Sequence, residues 1–325
     1  MPMQELLQEI AKKRILVIGD LMLDHYIWGD ASRLSPEAPV PIVKVDRDTY
    51  TAGGAANVAA NLRALGVATE VIGTAGADAY GRMLQDILRQ YGVAYDDALC
   101  GEKAATIVKT RVMCRNQQLC RLDREDAPSA YALSEGVRAG LQEKIARADA
   151  VILSDYAKGV ITSELIRWVQ TCVRPGQILA LDPKPRADLV FTGVSLMTPN
   201  KAEAVQLAGL HGTEAHTFPK EAVAACIHER YAPRHLVITL GGEGMLLCAD
   251  GKPGRQIPTA AREVFDVSGA GDTVIATLTA ALAAGADIDR AAALANLAAG
   301  VVVGKLGTAV ARPEEILACA TRTAP

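Results

Sequence analysis

The feature that most constrains this chain is a repeated alternation of short β-rich runs with helix-like stretches. Arg14–Gly19 (RILVIG) ends in Gly-Asp, Ala55–Leu65 reads as a helix closed by Gly66, Glu70–Thr74 is a second strand, and Gly81–Tyr91 is an amphipathic helix closed by Gly92. Further strands are predicted at Val151–Ser154, Ile178–Asp182, Leu236–Leu240 and Phe265–Val267. Parallel strands need a long crossover, and a helix supplies it. The alternation therefore predicts an α/β fold, a mostly parallel sheet covered by helices on both faces.

One segment departs from this rhythm. Thr106–Cys114 and Leu119–Arg124 read as two strands joined by Asn116-Gln117-Gln118, with no helix between them. Val40–Val45 contains Pro41, which points to an edge or protruding strand. Together they predict a small β lid, with strands approximately within 25–46 and 106–124. The hairpin carries Lys109, Arg111, Arg115, Arg121 and Arg124 against Asp123 alone, which suits either a lid over a site or an edge guarded by charge.

Composition narrows the function classes. Half of the 325 residues are hydrophobic and only 4% aromatic, so a large core of closely packed helices and sheet is expected. The net charge of −3 comes with no polybasic run, which argues against nucleic acid as a partner. Seven scattered cysteines without a CxxC pair suit reduced thiols and a cytoplasmic protein. Met1–Arg14 has no secretory h-region, and the apolar stretch near Ala291–Val303 is interrupted by Asn296 and stops short of the roughly 18 residues of a membrane span. With neither repeat nor linker, one domain over 1–325 is expected.

Five places carry candidate chemistry. Asp266-Val267-Ser268-Gly269-Ala270-Gly271-Asp272 reads as a strand end, a Gly turn and a helix start that attracts anions, with Asp272 placed to take a proton beside a phosphate. An ordinary Gly turn with an acidic first-turn residue fits the same letters. Thr51–Asn57 is a second Gly-rich helix entry, where Gly53 and Gly54 would let a ligand approach the backbone and Asn57 offers an amide. Asp20 and Asp24 follow the first strand, where carboxylates suit sugar hydroxyls or plain turn chemistry. Asn200 and Glu203 open a helix, either to hold magnesium waters or simply to cap it, and the glycines of Thr239–Gly244 permit phosphate approach or a tight hairpin. The histidines at 25, 211, 216, 228 and 235 show no ligand spacing and read as surface or packing residues.

Taken together, these residues resemble the ribokinase-type carbohydrate kinases. Gly53–Asn57 resembles that family's N-terminal signature, Asp266–Asp272 its C-terminal Asp-Thr-x-Gly-Ala-Gly-Asp signature (with Val267 and Ser268 departing from the commonest residues), and Asn200…Glu203 its magnesium motif. A narrower likeness, through Gly19–Tyr26, Arg33–Pro41 and Leu153–Gly159, is to bacterial D-glycero-β-D-manno-heptose-7-phosphate kinases, in stand-alone form because the chain ends at Pro325. The resemblance implies a ribokinase-like three-layer sandwich with a protruding β lid, and ATP-dependent phosphorylation of an anomeric hydroxyl. It implies Asp272 as base with Gly269, Ala270 and Gly271 around the transferred phosphate. Asn200, Lys201, Ala202, Glu203, Thr239, Gly241, Gly242, Gly244 and Asn296 would lie at ATP, with Mg²⁺ at Asn200 and Glu203. Asp20, Asp24, Gly53, Gly54, Asn57, Arg111, Asp155, Lys158 and Lys184 would lie at the sugar phosphate. A homodimer through the lid is expected; kinases of another sugar, or a silent sugar-binding protein of this fold, are the alternatives.

Overall fold

In the computed structural model, which describes residues 2–95, 100–101, 104–115, 117–210, 218–261 and 263–323, the apolar runs become sheet strands. In chain order they are β1 (Arg14–Gly19), β2 (Leu21–Leu34), β3 (Pro41–Gly54), β4 (Ala68–Ile72), β5 (Ala75–Gly76), β6 (Ala94–Tyr95), β7 (Cys100–Gly101), β8 (Val108–Cys114), β9 (Gln117–Arg124), β10 (Ala150–Ser154), β11 (Ile178–Asp182), β12 (Leu196–Met197), β13 (His235–Thr239), β14 (Met245–Ala249) and β15 (Lys252–Ile257). The main sheet has the order β15-β14-β13-β12-β11-β10-β1-β4-β6, with only the β13-β14 and β14-β15 pairings antiparallel. The helices are α1 (Met3–Ala11), α2 (Ala55–Ala64), α3 (Ala79–Tyr91), α4 (Glu135–Arg147), α5 (Ser163–Cys172), α6 (Lys201–Leu207), α7 (Lys220–Tyr231), α8 (Ala270–Ala283), α9 (Ile288–Val302) and α10 (Pro313–Thr323).

The strand period of two divides the apolar residues between two cores. Ile15, Val17 and Ile152 pack with α1, α2, α3, α8, α9 and α10, while Leu16, Ile18, Val151 and Leu153 pack with α4, α5, α6 and α7. Each fully buried aliphatic side chain contributes roughly 1.5–3 kcal/mol, so a sheet lined on both faces is the main source of stability. The chain leaves β1 toward β4 and later returns to β10 on the other side. Strand order reverses there, and open α/β sheets bind ligands beyond the strand ends at such a point.

The lid is a second sheet, ordered β3-β2-β8-β9. It starts at Leu21, one residue after Asp20, and runs to Gly54, so it is longer than the predicted 25–46 segment. Parallel register sets Asp24 beside Lys109 and Tyr26 beside Arg111 on one lid face, with His25 and Thr110 on the other.

Three expectations change. Phe265–Val267 is not a strand: Phe265 and Asp266 donate their N–H groups to the Val303 carbonyl at the end of α9, and Phe265 and Val267 are 62% and 68% exposed. The lid hairpin turns earlier than Asn116–Gln118, because Gln117 and Gln118 already pair with Cys114 and Met113; Asn116 itself lies outside the described residues. The predicted Glu70–Thr74 strand slides to Ala68–Ile72, held by parallel pairing of Arg14–Ile18.

Candidate active site

Asp272 sits in the first turn of α8, only 3% exposed. Gly269 precedes the helix with φ +78°, a conformation glycine adopts without strain, and a Cβ there would meet Asn57 Nδ2 at 2.6 Å. Asn57 Nδ2 donates to Asp272 Oδ2 at 2.7 Å, and the Tyr156 hydroxyl donates to Oδ1 at 2.5 Å. Burial pushes the carboxyl up to about 6, opposed by the Tyr156 and Asn57 hydrogen bonds and by Lys109, and helped by the charge of Asp24. Thr273 Oγ1 donates to Asn61 Oδ1, and Asn61 Nδ2 donates to the Asn57 carbonyl, so Asn57 is oriented from behind. Asn57 thus serves the carboxylate with one N–H of its amide.

The first intrahelical bond of α8 is from Thr273 N–H to Gly269 O. The Gly271 and Asp272 amides therefore have no intrahelical acceptor, the condition under which a helix start can receive an anion. Ala270 differs from expectation, since its N–H is spent on the Val267 carbonyl at 3.2 Å.

The carboxylates of Asp20 and Asp155, expected at the sugar phosphate, are engaged by the protein's own groups. Asp20 Oδ2 accepts from the Tyr156 and Lys158 amides and Oδ1 from the Val160 amide, and the residue is fully buried. Asp155 accepts from the Ala157 and Lys184 amides and from Arg186. These two carboxylates fix the loop that follows β10. Burial raises both above the usual range, opposed mainly by amide hydrogen bonds at Asp20 and by Arg186 at Asp155.

Further readings change in kind. Asp24 is held by Arg111 Nη1 at 2.6 Å, with Arg111 lying over the Tyr26 ring. Gly53 is required there for packing, since a Cβ would meet Asp24 Oδ2 at 2.7 Å, and Gly54 has φ +56° close to the Asp20 carbonyl. Lys158 pairs with Glu125 at 2.6 Å. Lys109 lies over the Tyr156 ring at 5.2 Å, its ammonium pulled down by burial and supported by Asp24. Among the described residues no carboxylate lies within ion-pair distance of Lys109.

Beside Gly271, a cavity of about 410 Å³ is lined by Thr239, Gly241, Gly242, Gly244, Asn296, Ala270 and Gly271 along with apolar Val264, Val267 and Val274. Asn296 donates to the Pro258 carbonyl, and Gly241 and Gly242 border open space. Asn200 and Glu203 form a capping box: Asn200 Oδ1 accepts from the Glu203 amide and Glu203 Oε2 from the Asn200 amide, both at 2.9 Å. Glu203 Oε1 accepts from Lys184 Nζ at 2.6 Å, so the Lys184 ammonium is paired with the helix-capping carboxylate. Lys201 points instead to Glu243 and the Phe218 ring, and Ala202 is exposed; neither lines the cavity. No group of three or more His, Cys, Asp or Glu side chains able to cage a metal is present among the described residues. With both Glu203 oxygens already engaged, the donor set fits a hydrated magnesium ion held through water rather than a direct cage.

Tyr156 and Asp182 were not singled out from the sequence. Asp182, the last residue of β11, accepts from Thr198, and burial, with Glu203 and Asp272 nearby, pushes it well above the usual range. Its position at a strand end near the switch point was the available signal. His25 stacks on Tyr50 at 4.1 Å, a packing role, while His211 and His216 lie outside the described residues.

The comparisons agree with this architecture. Residues 12–315 match the pfkB family of carbohydrate kinases, and the chain belongs to that family. It is 43% identical over 310 residues to the bifunctional protein HldE of Desulfatibacillum aliphaticivorans, covering 94% of this chain and 62% of that protein. The chain spans 62–64% of the length of the curated relatives of that name. Arabidopsis thaliana ribokinase complexed with ribose and ATP superposes with a TM-score of 0.70 at 21% identity, covering 94% of this chain and 98% of that one. Escherichia coli phosphofructokinase-2, in complex with substrates and products, gives 0.74 at 18% identity, over 95% and 99%. No helix among the described residues is long and apolar enough to cross a membrane.

Proposed function

We propose that this chain transfers the γ-phosphoryl group of ATP to the 1-hydroxyl of D-glycero-β-D-manno-heptose 7-phosphate, yielding the 1,7-bisphosphate, a step toward ADP-heptose for lipopolysaccharide core. The observation that carries the reading is Asp272, buried at a glycine-entered helix start between a cation-bearing lid and the cavity beside Gly271. The likeness to HldE proteins supports the choice of sugar.

In this reading Asp272 accepts the proton of the 1-hydroxyl as its oxygen attacks the γ-phosphorus. The bond to the β–γ bridging oxygen breaks and ADP leaves. The amides of Gly271 and Asp272 receive the charge that develops on the phosphoryl oxygens. Asn200 and Glu203 would hold Mg²⁺ through water, supplying charge neutralisation at the nucleotide phosphates. The cavity behind Gly271 receives the nucleoside. Lys109 and Lys158 are our candidates for the 7-phosphate: Lys109 is a half-buried lid cation without an ion-pair partner among the described residues, and Lys158, paired with Glu125, lies in the loop that carries Tyr156 under the Lys109 ammonium. We place the protein in the cytoplasm, with ATP, and as a dimer through the lid.

The test is ADP release with ATP, Mg²⁺ and a panel of sugars and sugar phosphates. Preferred turnover of the heptose 7-phosphate is expected. Preference for an unphosphorylated sugar would overturn the substrate assignment, and no turnover with any sugar would favour a binding protein of the same fold.

A further inference from the structure

The loop after β10 is unusually over-determined for a connection. Asp20 binds its amides at 156, 158 and 160, and Asp155 binds the amide at 157 and the Arg186 guanidinium. Ala157 is held at φ +57°, a region that costs a non-glycine residue energy. Gly159 has φ +114°, and a Cβ there would lie 1.9 Å from the Pro128 carbonyl oxygen. A strained backbone fixed by two buried carboxylates is maintained to aim a side chain, and the one it aims is Tyr156. Its hydroxyl reaches Asp272, 116 residues away, at 2.5 Å, and its ring is covered by the Lys109 ammonium.

We propose that Tyr156 is a positioning residue for phosphoryl transfer, its hydroxyl orienting the Asp272 carboxylate and supplying the charge-assisted hydrogen bond that keeps it a proton acceptor. The inference rests on Asp272 being the base. Tyr156 and Asn57 grip one oxygen each, so the carboxylate plane is set before substrate arrives, and each oxygen keeps a lone pair for the incoming hydroxyl. Tyr156 holds the anionic form against its buried setting, because a donor to a carboxylate favours the charged state. The other charged or titratable groups facing Asp272 are Asp24 and Lys109 from the lid and Asp182 from the end of β11. None of these donates a hydrogen bond to it, so none substitutes for the Tyr156 hydroxyl.

The experiment compares the wild-type protein with Tyr156→Phe, which keeps the ring under Lys109 and removes only the donor. The Asp272 carboxyl titration is followed by ¹³C NMR, assigned by the signal missing in Asp272→Asn, with no sugar present. A midpoint raised by about one pH unit or more in Tyr156→Phe is expected, in keeping with the loss of a hydrogen bond to a charged group. An unchanged midpoint overturns the proposal, whatever the sugar proves to be. With whichever sugar is turned over, the acid limb of kcat should move up by the same amount while the KM for ATP stays put. Lower kcat with an unmoved acid limb would mean a merely structural role. Failure of the sugar panel would leave the titration readable, so the two readings fail separately.

Discussion

Arg111 donates to Asp24 at 2.6 Å diagonally across the parallel seam of β2 and β8, and the two side chains are only 15% and 6% exposed. Burial raises the Asp24 carboxyl and the guanidinium opposes it. Such a pair is worth little over an apolar replacement but is costly to break on one side. Arg111→Met should therefore lower unfolding stability by about 3–5 kcal/mol, and Asp24→Asn in the same chain should restore most of the loss. Urea denaturation of the single and double variants decides it; equal stability of the two would refute the pairing argument.

As the proposed base, Asp272 should set both a rate and a stability profile. Its folded value, about 6, is raised above its ordinary 3.8 by burial. The native state therefore holds its proton more tightly than the unfolded chain. Stability from this group is fully present below the unfolded value and is lost as pH rises through about 4 to 6. Asp272→Asn should accordingly be more stable than wild type at neutral pH, by on the order of 1–3 kcal/mol, while losing roughly 10²–10⁴-fold or more in turnover. The wild-type acid limb should fall near pH 6. Thermal unfolding and initial rates against pH measure both; a destabilised Asn variant with normal turnover would contradict each half.

Nothing lies within 4 Å of a Cβ placed on Gly271. Gly271→Ala should fold normally and gain up to about 1 kcal/mol from helix propensity. A phosphate seated on the α8 amides would nonetheless meet the new methyl group, so ATP turnover should drop by tenfold or more. Unaltered kinetics in this variant would remove the anion site from α8.

Glu203 has two tasks that can be separated. Glu203→Gln keeps an oxygen to accept the Asn200 amide but removes the charge facing Lys184 and the proposed magnesium water shell. Its melting temperature should stay near wild type while the Mg²⁺ concentration for half-maximal rate rises severalfold. Asn200→Ala loses the cap itself, costing about 0.5–2 kcal/mol. A Mg²⁺ titration indistinguishable from wild type in Glu203→Gln would rule out this metal position.

The lid leaves Leu122, Val45 and Leu34 exposed by 59%, 55% and 67%. Paired lids from two copies would cover such residues. Sedimentation at micromolar concentration should report a dimer, and Leu122→Asp should shift it toward monomer; a wild-type monomer refutes the association.

The sheet was legible because parallel strands buried on both faces read as unbroken apolar runs, as at Ile15–Ile18 and Val151–Leu153. Phe265–Val267 misled by the same signal: its apolar residues lie exposed in a loop that bonds to α9. The environment of Asp272 was half legible. Glycines before an acidic helix start announced it; the likeness through Leu153–Gly159 marked the segment of Tyr156 but not its contact with Asp272, which depends on a loop fixed by carboxylates, one of them distant in sequence. Asp20 and Asp155 show the limit in another form. A carboxylate at a strand end can bind a ligand or the protein's own amides, and only the backbone path decides between them.

The partners of Asp272 lie 215 and 116 residues away in sequence, on opposite sides of the strand-order reversal. No contiguous stretch of chain holds this arrangement. It comes into being only when the long-range strand pairings are complete, among the slower contacts a chain makes. Catalytic competence should therefore return late in refolding, in step with the last global phase, and the carboxyl resonance of Asp272 becomes a spectroscopic clock for the finished molecule.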